Sequence, residues 1–117
     1  MKTDIRDRCY KVSLSIIELT NILPQKRSAW IIADQLLRSA MSIGANLIEA
    51  RASSSRLEYK KFFEIALKSA NETIYWLSLL RDSGISNGQA IDPLISEVTE
   101  ISKMLGAGVI RLKSHRL

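Results

Sequence analysis

The chain is poor in the residues from which small proteins build chemistry. It has one cysteine, one histidine, two prolines and five glycines in 117 residues. A lone cysteine cannot close an internal disulfide, which suits a reducing compartment and points to the cytoplasm. A lone histidine, His115, removes any multi-histidine metal centre within one chain, and no Glu-x-x-His pair of the kind that loads a metal-binding bundle occurs. No glycine-rich phosphate loop and no serine elbow is present. Apolar runs stay well short of the roughly 18 residues that span a bilayer, so no membrane role is expected. The opening residues are charged rather than apolar, unlike a signal peptide. These absences argue against an enzyme, a metalloprotein and a cofactor carrier.

What remains is a helical pattern. The length suits one domain spanning 1–117 with one core. Apolar residues recur every three or four positions, which predicts four helices over about 4–23, 29–51, 56–83 and 92–114. In the first, Ile5, Cys9, Val12, Ile16, Leu19 and Leu23 share a face and Pro24 ends the run. Tyr10, Leu14 and Ile17 make a second apolar patch, a first sign of a partner. Ser28 reads as the cap of the second helix, and Ser55 with Glu58 as a capping box opening the third. Gly84 follows the third helix as a left-handed terminator. Asp92-Pro93 reads as the start of the fourth, in which Gly106 and Gly108 cost stability unless something approaches closely. Short connections then dictate an all-α, antiparallel, up-and-down four-helix bundle.

The second helix is unusual. Between Ser28 and Ala50 its only charges are Asp34, Arg38 and Glu49. Its polar residues Gln35, Arg38, Ser42, Asn46 and Glu49 fall in one narrow stripe at 100° per residue. The stripe is either a solvent-facing strip or a buried or interfacial network pairing Arg38 with Glu72 or Glu49. The scarcity of other charge favours the network, and buried polar networks fix one register of association over others. On the third helix, Lys60, Glu64, Lys68 and Glu72 form a ladder of alternating charge at four-residue spacing, the pattern of a solvated face.

Net charge is +5, spread thinly, with Arg111, Lys113 and Arg116 giving the last residues a local excess. It serves either solubility or an acidic partner such as RNA or DNA. The residues that would contact phosphate are Arg51, Arg56, Lys60, Lys61, Arg111, Lys113 and Arg116.

The segment Gln35-Leu36-Leu37-Arg38-Ser39-Ala40-Met41-Ser42-Ile43-Gly44-Ala45-Asn46-Leu47-Ile48-Glu49-Ala50 resembles the signature of a bacterial four-helix-bundle family first noticed within intervening sequences of large-subunit ribosomal RNA genes. The similarity continues through Ser55-Arg56, Ile65-Ala66-Leu67-Lys68, Glu72-Thr73 and Tyr75-Trp76-Leu77. Relatives of that family include accessory proteins of diversity-generating retroelements. The resemblance implies a ring-like homopentamer with a central channel and no enzymatic activity. It also implies partners such as nucleic acid and a reverse transcriptase. A fivefold assembly would carry about +25, turning a thin excess per chain into a strong field. The function expected is therefore a non-catalytic, homo-oligomeric nucleic-acid-binding adaptor; the alternative is a protein-binding scaffold with no nucleic-acid role.

Overall fold

A computed structural model describes residues 4–114. Within them the chain forms four helices and no strand: α1 (Ile5–Asn21), α2 (Arg27–Arg51), α3 (Arg56–Asp82) and α4 (Gly88–Ser114). Each helix packs on its two neighbours in the cyclic order α1, α2, α3, α4, and the diagonals do not touch. The connections are too short to do anything but reverse the chain, so neighbours run antiparallel and the molecule measures 51 × 29 × 21 Å. No described helix is long and apolar enough to cross a membrane.

The core is the predicted set of stripes. Cys9, Val12, Ile16 and Leu19 of α1 meet Leu36, Ile43 and Leu47 of α2, Leu77 and Leu80 of α3, and Val98, Ile101 and Leu105 of α4. Removing this apolar area from water supplies the main driving force. Small residues govern the α2–α3 contact: Ser39 and Ala40 lie opposite Ser69, Ala70 and Thr73, all buried. Their short side chains let the two backbones approach closely.

The ends of the helices correct the sequence reading in two places. Ser28 is not a cap; α2 begins at Arg27, two residues before the expected start, after Lys26, whose extended backbone accepts the Trp30 amide at 3.1 Å. The fourth helix does not start at Asp92-Pro93. Asn87 caps it, its Oδ1 accepting the Ala90 amide at 3.0 Å, and Pro93 lies in the second turn. The proline forfeits only a bond to the Gln89 carbonyl, and both residues are exposed, so water takes that carbonyl. Asp92 instead holds Arg81 of α3 at 3.0 Å.

The capping box forms as read, with a one-residue difference. Ser55 Oγ accepts the Glu58 amide at 3.1 Å, and Glu58 Oε1 accepts the amide of Ser54 rather than of Ser55, at 2.9 Å. Gly84 takes φ +78°, the left-handed conformation that terminates α3.

Candidate nucleic-acid interface

The polar stripe of α2 is divided between two clusters on α3. In one, Arg38 donates to Gln35 Oε1 at 2.8 and 3.1 Å and pairs with Glu72, which also accepts Trp76 Nε1 at 2.9 Å. These bonds hold the Glu72 carboxyl below the usual range, the Trp76 indole contributing most and Arg38 next. In the other, Ser69 Oγ bonds Ser42 Oγ at 2.9 Å, and Ser42 accepts Asn46 Nδ2 through both its hydroxyl and its carbonyl. Between the clusters, Thr73 Oγ1 lies 2.9 Å from Ser39 Oγ and 2.7 Å from the Ser69 carbonyl. Among the described residues, no buried side-chain nitrogen or oxygen lacks a partner.

The stripe is thus neither a bare solvent strip nor a fully buried network, and Glu49 stands outside it, exposed and making no side-chain hydrogen bond with any described residue. The charge ladder of α3 forms one rung, Lys60 to Glu64 at 3.5 Å; Glu72 has turned to Arg38 and Trp76 instead of Lys68.

The cationic residues converge where the first turns of α1 and α3 meet the last turns of α2 and α4. Three adjoining grooves open there, of about 370, 430 and 320 Å³. Among the described residues they are lined by Arg6, Arg51, Arg56 and Arg111, against one acid, Asp4. Asp4 caps α1 and grips Arg6, taking its amide at 2.9 Å and its guanidinium through both oxygens. The Arg6 bond, seconded by the charge of Arg51, holds the Asp4 carboxyl down at about 2, so it stays ionised across the physiological range. Arg6 is therefore largely neutralised in place. Arg51 and Arg56 are different: both are exposed and neither makes an ion pair or side-chain hydrogen bond with any described residue.

Tyr59 lines all three grooves. Its ring stacks on Phe63 at 5.0 Å between centroids and 22° between planes. Phe63 is in turn pressed on Gly108, where a Cβ would stand 2.8 Å from the Phe63 ring. This is the close approach that Gly108 calls for; Gly106 has open space and no such reason.

Of the residues proposed to meet phosphate, the structure gathers Arg51, Arg56 and Arg111 at this end. Lys60 is half-buried and engaged with Glu64. Lys61 and Lys113 are exposed but line none of the three grooves. Arg116 and His115 lie outside the described residues. Arg6, Tyr59 and Phe63 escaped the sequence reading. The signal for Arg6 was available: an up-and-down order places the start of the first helix beside the start of the third.

A different surface carries the leftover apolar residues. Tyr10, Leu14 and Ile17 of α1 are exposed, as are Met41 and Ile48 of α2. Tyr10, Met41 and Ile48 flank a narrow groove between these helices, floored by Gly44 and Ala45. Trp30 and Ile31 of α2 are also exposed, so its wide apolar arc is only partly covered by the bundle.

The profile of the 23S rRNA-intervening sequence protein family matches residues 1–107. The chain belongs to that family. Among solved structures it is similar to a protein of unknown function from the S23 ribosomal protein family of Bacteroides thetaiotaomicron, determined at 1.70 Å resolution. The two share 33% sequence identity and superpose with a TM-score of 0.84, over 91% of this chain and 98% of the other. No curated protein matches the sequence. Family membership agrees with the four-helix architecture and brings no activity with it.

Proposed function

We propose that this chain is a non-catalytic nucleic-acid-binding protein that works as a homo-oligomer, gripping phosphates at its arginine-lined end. The observation that carries the reading is Arg51 with Arg56: two exposed guanidinium groups that make no ion pair or side-chain hydrogen bond with any described residue, beside Arg6 and Arg111 and facing, among the described residues, one acid that Arg6 already engages. Guanidinium groups match phosphate geometry bidentately and remain charged at any physiological pH. Unpaired cations that share a concave surface create an attractive potential for a polyanion.

Self-association is supported by the exposed apolar surface of α1 and α2, which a lone bundle would leave in water. A ring of five is the assembly favoured, and it would repeat the arginine end fivefold, so modest contacts per subunit add through avidity. The same apolar surface also favours the second reading, a scaffold that docks another protein.

The decisive experiment is binding of RNA and DNA oligonucleotides at two salt concentrations. Several phosphate contacts make affinity fall steeply with salt, by roughly 0.7 to 0.9 in log–log slope per phosphate. Absence of binding at low salt overturns the nucleic-acid reading and leaves the scaffold. Light scattering tests the assembly independently, and a clean monomer rules it out.

A further inference from the structure

The arginine end contains more than charge, and its remaining feature narrows the kind of nucleic acid. Resting on the phosphate-binding reading above, we infer that this end takes single-stranded rather than duplex nucleic acid, with Tyr59 as the surface on which a base stacks.

Tyr59 is 36% exposed and is the one residue that lines all three grooves. An exposed aromatic on a helix is ordinarily free to swing. This one is backed by Phe63, and Phe63 is fixed by the bare backbone of Gly108. The ring is therefore held in place before any ligand arrives, which lowers the entropic cost of stacking on it. Arg51 and Arg56 flank the ring from the last turn of α2 and the first turn of α3. Phosphates on either side of an unpaired base can meet these guanidinium groups while the base lies on the tyrosine.

A duplex cannot use this arrangement. Its bases are stacked inside and its backbone is convex, so it offers a concave groove phosphates alone. A single strand offers both phosphates and bare base faces, and aromatic platforms inside basic grooves bind such strands with little regard to sequence. The same chemistry accommodates RNA and DNA, since neither contact involves the 2′-hydroxyl.

The test compares three labelled probes by fluorescence anisotropy with the full chain at low salt: a short single strand, its duplex, and an abasic strand of the same length. The wild-type protein should bind the normal strand about tenfold more tightly than the abasic one. Tyr59→Phe keeps that difference, and Tyr59→Ala abolishes it without weakening duplex or abasic binding. Arg51→Gln with Arg56→Gln weakens all three probes. Equal affinity of the wild type for normal and abasic strands overturns the base platform while leaving the phosphate reading intact. Failure of all three probes to bind overturns both. The wild-type comparison needs no variant, so it decides even if Tyr59→Ala does not fold.

Discussion

The middle of the α2–α3 seam and the arginine-lined end of the bundle share α2 and α3, with α1 and α4 joining at the end, yet they obey opposite rules. In the middle, Ser39, Ser69 and Thr73 are buried among alanines, and each hydroxyl is bonded to a neighbour or to its own helix. More than three turns away, Arg51 and Arg56 make no ion pair or side-chain hydrogen bond with any described residue, and grooves open beside them. Satisfied polar groups specify how two helices fit together. Unsatisfied charges on a concave surface specify what comes from outside. The comparison teaches that stability and binding occupy different lengths of one helix pair, and so should respond to different substitutions.

The sharpest way to break the middle without touching the end is Leu77→Ala. Leu77 is fully buried on α3, and its truncation should cost about 2–5 kcal/mol in urea unfolding followed by circular dichroism. Gly108→Ala comes next, because the added methyl would collide with Phe63; about 1–3 kcal/mol is expected in the same assay. It also couples the two regions, since displaced Phe63 should disturb Tyr59 and weaken single-strand binding. Thr73→Val replaces a bonded hydroxyl by a methyl of similar volume at the seam, at a cost of about 1 kcal/mol. A binding change larger than its stability change would break the comparison. The double variant Arg51→Gln with Arg56→Gln should alter stability by less than about 0.5 kcal/mol, because both side chains are exposed and unpaired. Its effect belongs in the salt dependence of binding, a slope shallower by about 1.4 on a single strand.

A pH titration reads a third place, the contact between α1 and α4. Glu97 is held below the usual glutamate range by Arg8, which donates to its two oxygens at 2.8 and 2.7 Å. A depressed carboxyl contributes stability that is fully present above its unfolded value, near pH 4, and is lost as pH falls through the folded one. The pair is about a third exposed, so the loss should be about 1 kcal/mol or less. Glu97→Gln should therefore narrow the gap in stability between neutral and acid solution, read from urea midpoints across that range.

Much of the bundle was legible because burial imposes a period. The stripes of α1 and α4 appear as cores in the positions their spacing predicts, from Cys9 to Leu19 and from Val98 to Leu105. Arg38 was legible as a pairing residue with two candidate partners, Glu72 and Glu49, and the structure chooses Glu72. Ser39, Ser69 and Thr73 were not, because a helical serine or threonine can bond its own helix and so occupy a core position while reading as polar. The second helix end misled for a related reason: Asp92-Pro93 has the composition of a start, but Asn87 reached the free amide first. The arginine end was half legible. Its cations stand far apart in the chain, and only the antiparallel order brings Arg6 to Arg51, Arg56 and Arg111.

The α1–α4 contact has one more consequence. It is the sparsest of the four interfaces, and the Arg8–Glu97 pair bridges it. Beneath it lies Cys9, 1% exposed, its thiol pushed up to about 12 chiefly by burial. A thiol in that state ignores alkylating reagents until α1 swings away. The chain thus carries its own clock: the rate at which Cys9 is alkylated counts how often the first helix lets go of α2 and α4.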